Sequence, residues 1–204
     1  MQKIMFNDRY GLTQAVIEGR KTMTRRLIPD EFFGLTWDTR GNTLVYENEY
    51  GDFIDVRLSK YTRYKVGEIV AVAQNYFSTY DESKWENGIW YNEFADGSDI
   101  TNHAGWLNKM FVKAEYMPHQ IRITGIHCER LQDISDAECL KEGVRVEFAR
   151  NGSPMYYYFD TKRWREVWFD TPREALAALI DKVSGWGTWA SNPWVVVYEF
   201  ELVK

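Results

Sequence analysis

The chain has 204 residues, of which 45% are hydrophobic and 27% charged, a composition typical of a folded globular protein that excludes a disordered, collagen-like or coiled-coil chain. Its 25 Lys and Arg residues against 30 Asp and Glu residues leave a net charge of −5, which argues against duplex DNA as a partner because duplex binding needs many phosphate contacts. There is no apolar run long enough for a transmembrane helix and no secretory signal at the N-terminus. We therefore expect a cytoplasmic protein without a membrane partner.

The first half of the chain predicts one helix followed by short strands. Asn7 offers an N-cap and Gly19 a C-terminal stop for this helix. Turn signals around Gly41 and Gly51 divide the following segment into a meander. The predicted elements are, in chain order, a helix over 8–18, a strand over 21–27, a meander over 35–58, a buried strand over 67–72 and a hairpin at 87–88.

The second half predicts longer strands and two capped helices. Ser135 and Thr171 each precede a Glu by three residues, and this capping-box spacing marks a helix start at both places. Gly125 interrupts the apolar alternation of the first long strand, which favours a β-bulge there. The predicted elements are a strand over 120–131, a helix between 135 and 143, a hairpin of strands over 144–148 and 155–159, a helix from 171, and a strand over 194–202. Strands outnumber helices, so we predict an α+β fold built as a small mixed barrel.

The two cysteines, Cys128 and Cys139, are too few for a four-ligand zinc site, and the three histidines are scattered along the chain. A disulfide and a pair of buried thiols are both compatible with the sequence, and a cytosolic protein favours the thiols. We expect neither a metal nor another cofactor.

The densest polar motif is the run 18–26, where four cations and two threonines flank a glycine turn. A desolvated lysine such as Lys21 can act as a base, a threonine hydroxyl beside it can attack a carbonyl, and arginines bind phosphate by forked hydrogen bonds. A solvated basic strand edge is the competing interpretation. Because Lys21 and Thr24 are three residues apart, a regular strand would point them to opposite faces. Both reach one pocket only if the backbone bends.

Five segments, taken in order, resemble the ASCH domain family, whose fold is similar to the PUA domains of RNA-binding proteins. The first is the motif Gly19–Arg26, GRKTMTRR, and the set most resembles ASCH proteins encoded by phages and prophages. The other segments are 67–70, 117–118, 129–143 and 192–200. The resemblance implies a PUA-like mixed β-barrel with flanking helices. It would be one domain over residues 1–204, with β-hairpin insertions at about 28–64, 77–116 and 145–170.

The resemblance also implies binding of RNA or of a modified nucleoside in a cleft beside the basic motif. One bacterial branch of the family consists of acetylcytidine amidohydrolases, whose catalytic set falls on Lys21, Thr24 and Glu142 of this sequence. Lys21 would take the proton of Thr24, which attacks the acyl carbon of an N4-acylated cytidine. A solvent-facing carboxylate at a helix end is the competing interpretation of Glu142. The implied ligand-binding residues are Arg20, Thr22, Arg25, Arg26, Gln74, Asn75 and Tyr76.

The run Val72–Tyr76 departs from the phage-type pattern, which has an Arg and a Glu where this chain has Ala73 and Gln74. Amides read base edges well but are poor acids and bases, so the departure favours binding over hydrolysis. A third function from another class is a phage-associated protein-interaction module. Its partner protein would bind the insertions, where an exposed apolar patch should then lie.

Aromatic residues make up 16% of the chain, and core packing is the stronger expectation for most of them. The run Lys162–Trp168 interleaves cations with two tryptophans four residues apart. We interpret it as a helix that packs both tryptophans on the barrel, with a stacking platform for single-stranded RNA as the alternative.

Overall fold

A computed structural model describes residues 1–28, 34–59, 62–79 and 99–203 of the chain. In these ranges eleven strands form three sheets alongside five α-helices, so the predicted α+β class is confirmed. The strands are β1 Gln2–Ile4, β2 Met23–Leu27, β3 Thr36–Asp38, β4 Thr43–Glu47, β5 Phe53–Asp55, β6 Ile69–Val72, β7 Gln120–Arg130, β8 Arg145–Phe148, β9 Pro154–Asp160, β10 Arg165–Phe169 and β11 Trp194–Leu202. The helices are α1 Leu12–Ile17, α2 Tyr76–Thr79, α3 Asp136–Lys141, α4 Pro172–Ser184 and α5 Thr188–Ser191. The hairpin predicted at 87–88 lies outside the described residues.

Two compact units make up the chain. The first unit comprises Met1–Phe6, Ile69–Ile121 and Val203–Lys204. Within it β1 and β6 pair in parallel, and the Val72 N–H donates to the His119 carbonyl just before β7. The core of this unit consists of Ala71, Ala73, Tyr76, Val112 and Met117.

The second unit comprises Asn7–Glu68 and Arg122–Leu202. Here β11 lies between β7 and β2, and it pairs antiparallel with β2. One buried cluster on this sheet consists of Met23, Leu131, Val195 and Val197. The predicted capping box of α4 is confirmed, because the Thr171 hydroxyl accepts a hydrogen bond from the Glu174 N–H while the Glu174 carboxylate accepts one from the Thr171 N–H.

Two three-stranded antiparallel sheets complete the second unit, one with the order β3-β4-β5 and one with the order β10-β9-β8. The first is the predicted meander, and the hairpin between β8 and β9 is also as predicted. The helix predicted over Lys162–Trp168 is wrong, because a turn and β10 occupy this run. The helical spacing of its tryptophans was a local coincidence, whereas pairing of β10 with the aromatic strand β9 decides the structure.

The sequence also made predictions about the first helix, the two cysteines and the closure of the strands. The helix predicted over 8–18 is a 3-10 turn at Asp8–Tyr10 followed by α1, because Gly11 between them has a φ of +65°. Cys128 and Cys139 are both free and buried, as predicted, and burial raises the pKa of Cys128 to about 12. The strands do not close into a barrel in the described ranges. None of the described helices is long and apolar enough to cross a membrane.

Candidate functional site

The basic motif forms the connection between α1 and β2, and hydrogen bonds from both sides fix its backbone. The N–H groups of Arg20 and Lys21 both donate to the Ala15 carbonyl in the last turns of α1, each over 2.9 Å. The Thr22 N–H donates to the carbonyl of Lys141, the last residue of α3, over 3.0 Å. The motif is therefore joined to the C-terminal end of α3.

Lys21 is buried, with only 2% of its side chain exposed, and it is paired with Glu142. Its Nζ donates to Glu142 Oε2 over 2.5 Å, to the Glu142 carbonyl over 2.8 Å and to the Met23 carbonyl over 2.7 Å. Burial lowers the pKa of Lys21, although the Glu142 carboxylate beside it acts in the opposite direction. The structure thus brings two of the three predicted catalytic residues together. The interpretation of Glu142 as a solvent-facing carboxylate is wrong, since this side chain is buried.

Arg25 extends this buried pair into a row of alternating charges. Its Nη1 donates to Glu142 Oε1 over 3.1 Å, and its Nε donates to Glu129 Oε1 over 2.7 Å. Glu129 Oε2 lies 3.4 Å from His127 Nε2, and His127 is half-exposed. Burial alone would raise the pKa of Glu129, but His127 and Arg25 more than offset this, so its pKa lies below the ordinary value. The row therefore runs from Lys21 in the interior to His127 at the surface.

Thr24 lies on the other face of the sheet from Arg25. In the antiparallel pair of β2 with β11, Thr24 is opposite Tyr198 and Arg25 is opposite Val197. Paired residues project to the same face and consecutive residues to opposite faces. Because Arg25 contacts Glu142, the Thr24 side chain projects away from the face on which Glu142 lies.

The other motif residues lie closer to solvent. Arg20 donates from Nε and Nη2 to Glu18 Oε2, over 2.7 and 2.5 Å, in a partly exposed ion pair. Thr22 is half-buried, and Arg26 is exposed on β2 opposite Val196. These positions leave Arg20 as the motif cation beside the groove described below.

Gln74, Asn75 and Tyr76 belong to the first unit and have hydrogen-bond partners there. Gln74 Oε1 lies 2.8 Å from His119 Nδ1. Asn75 Oδ1 accepts from the N–H three residues further along the chain, over 2.7 Å, and the Tyr76 hydroxyl accepts from the Lys113 N–H over 2.8 Å. Their role in ligand binding stays a prediction.

A groove of about 440 Å³ lies in the second unit beside the basic motif. Three cations, one tyrosine and three aliphatic side chains line it: Arg20, Lys141, Arg145, Tyr157, Leu140, Val144 and Val146. The Arg145 guanidinium carbon lies 5.9 Å from the centre of the Tyr157 ring, within the range of a cation–π contact.

Of these lining residues, sequence reasoning identified only Arg20. Lys141 directly precedes Glu142, and Arg145 opens the strand that follows, so both lie next to a residue already singled out. Their closeness to Glu142 in the sequence is the signal from which both residues could have been predicted.

Comparison with known proteins gives no match, whether with family models, curated proteins or solved structures. The resemblance to the ASCH family therefore stays a prediction, and function has to be argued from the geometry of the second unit.

Proposed function

We propose that this protein is an ASCH-type, PUA-like module that binds RNA or a modified nucleoside in the groove beside the basic motif. The observation that carries the proposal is the lining of the groove, in which Arg20, Lys141 and Arg145 surround one cavity together with Tyr157. Cations bind phosphate, while the aliphatic side chains, next to the largely buried Tyr157, suit a flat base. A nucleotide has both parts, so it matches this lining better than a purely apolar or a purely anionic ligand.

The buried pair supports the groove without touching its contents. Lys21 is enclosed by protein, and its Nζ donates to the backbone carbonyl as well as the carboxylate of Glu142. Together with the bond from the Thr22 N–H to the Lys141 carbonyl, this pair holds the end of α3 against the motif. We therefore assign Lys21 and Glu142 as positioning residues, which hold Arg20 and Lys141 in the lining of the same groove.

The proposal is tested by neutralising Lys141 with Lys141→Gln and measuring the affinity for a fluorescein-labelled octauridylate by anisotropy. We expect a loss of about fivefold, because an exposed cation–phosphate contact contributes up to about 1 kcal/mol. Since each phosphate contact on a single strand contributes about 0.7 to the slope of log K against log salt, the slope should fall by about that amount.

The matched control is Lys182→Gln, which also removes an exposed lysine from the last turn of a helix, α4 instead of α3. Both substitutions remove a cation that interacts favourably with the helix C-terminus, so effects on stability are similar. Equal affinities for wild type, Lys141→Gln and Lys182→Gln, or no binding by folded wild type, would overturn the proposal.

A second candidate function is hydrolysis of an N4-acylated cytidine, and the specific observation that favours it is the buried Lys21 with its lowered pKa beside Glu142. Lys21 would accept the proton of the Thr24 hydroxyl as its oxygen attacks the acyl carbon, and would return the proton to the cytidine N4 as the C–N bond breaks. Water would then hydrolyse the ester formed on Thr24. The position of Thr24 on the opposite sheet face ranks this candidate second. Incubation with N4-acetylcytidine, followed by absorbance, decides it: turnover abolished by Thr24→Ala and Lys21→Ala supports hydrolysis, and no turnover by folded wild type excludes it.

A further inference from the structure

One face of the sheet formed by β8, β9 and β10 carries two pairs of aromatic rings. Tyr157 and Phe159 are two residues apart on β9, so their side chains project to the same face. Trp168 is opposite Tyr157 on β10, and the two ring centres are 4.3 Å apart. Trp164, in the turn between the strands, lies with its ring 5.5 Å from Phe159 in an edge-to-face arrangement. Each β9 ring thus supports one tryptophan.

Both tryptophans are exposed to solvent, Trp164 by 81% and Trp168 by 39%. Trp164 also has a φ of +49°, a left-handed conformation that suits Gly or Asn far better than an aromatic residue. The ring contacts Phe159 at its edge but is mostly exposed, so it gains little from burial, and folding alone is a weak reason for a tryptophan in this strained turn. Contact with a ligand is a reason, because backbone strain is characteristic of ligand-binding segments.

The aromatic face is continuous with the groove. Arg145 on β8, Tyr157 on β9 and Trp168 on β10 are directly opposite one another across the three strands. The first two of these residues also line the groove. A ligand that leaves the groove past Arg145 therefore reaches Trp168 next.

We propose that single-stranded RNA bound in the groove continues across this face, with successive bases stacked on Trp168 and Trp164. The inference rests on the proposed function and extends it from one nucleotide to an oligonucleotide. Sheets that bind single-stranded RNA commonly stack two or three bases on aromatic side chains, and basic grooves beside them bind the backbone. The occupant is a single strand because cations of the groove lead directly onto stacked rings, a combination that matches phosphates and bases, and RNA is the strand that the proposed function names.

Two carboxylates on the same face determine where the phosphates lie. Glu147 Oε1 accepts a hydrogen bond from the Tyr157 hydroxyl over 3.0 Å, and Glu166 is opposite Phe159. Both repel phosphate, so bases and not phosphates lie over this part of the face, and the phosphates stay with the cations of the groove.

The experiment compares Trp164→Ala with Trp186→Ala, a control that removes another exposed tryptophan, 91% accessible, from the second unit. Affinity for the labelled octauridylate should fall about tenfold in Trp164→Ala and stay unchanged in Trp186→Ala, since one base–aromatic stack is lost. Trp164→Phe keeps a ring and should recover most of the affinity. Trp168→Phe should likewise retain binding and, because it preserves packing on Tyr157, remain folded.

The outcomes separate this inference from the proposed function. If Lys141→Gln weakens binding and Trp164→Ala does not, the groove is correct and the aromatic platform is wrong. If Trp164→Ala weakens binding and Trp164→Phe binds no better than Trp164→Ala, the proposed stacking of a base on Trp164 is wrong. If Lys141→Gln and Trp164→Ala both bind like wild type, both proposals fail together.

Discussion

Glu142 makes two separate charge contacts in the interior of the second unit. Its Oε2 accepts from Lys21 and its Oε1 accepts from Arg25, and all three side chains are buried. Buried ion pairs contribute little compared with apolar residues of the same shape, but removal of one partner leaves the others uncompensated. The carboxylate is therefore the residue on which the arrangement of the motif depends most.

We expect Glu142→Gln to lower the free energy of unfolding by about 3 kcal/mol, because both Lys21 and Arg25 lose a charged partner in a buried site. Urea denaturation followed by circular dichroism measures this difference. Glu18→Gln is the matched control, since it removes a carboxylate that pairs with Arg20 in a partly exposed position. The control should cost less than about 1 kcal/mol. Equal effects of the two substitutions would show that Glu142 is not electrostatically important.

At the residue scale, part of the arrangement around Glu142 could be predicted from the sequence and part could not. The association of Lys21 with Glu142 followed from the resemblance, and the alternation of a strand correctly predicted that Thr24 would face away from Lys21. Burial of the lysine was not predictable, because it depends on α3, which the chain reaches more than a hundred residues later. The resemblance implied a catalytic Lys21 beside the ligand cleft, and the structure encloses this side chain instead.

At the scale of elements, local signals were reliable where the decisive residues are neighbours in the chain. The capping boxes at Ser135 and Thr171 correctly marked the starts of α3 and α4. The alternation of β7 changes phase around Gly125, with Ile123 buried before it and Cys128 buried after it, and the bulge itself stays a prediction.

Nonlocal pairing decided the one run in which a helix was predicted and a strand is found. The run from Lys162 has aromatic spacing that fits a helix as well as a turn and a strand. Pairing of Val167 with Tyr158 and of its neighbours along β9 makes it a strand. The same pairing puts Trp168 over Tyr157, so the prediction of a stacking platform, made as an alternative, depends on a strand that sequence spacing could not identify.

At the scale of the whole molecule, the groove combines residues from distant parts of the chain. Arg20 comes from the motif, Lys141 from α3, and Arg145 and Tyr157 from the sheet of the predicted insertion at 145–170. Sequence alone gives no distance between these parts, so the motif predicted a ligand site without predicting its lining. The insertion, expected as elaboration of the fold, contributes half of the charged and aromatic lining.

The measurement that tests the central proposal most directly is photocrosslinking of octauridylate to the wild-type protein, with the crosslinked residues identified by mass spectrometry. We expect crosslinks in the segments 140–146 and 157–168, which line the groove and the aromatic face of the second unit. Crosslinks confined to Gln74–Tyr76 in the first unit, or spread evenly over the chain, would contradict binding in the groove.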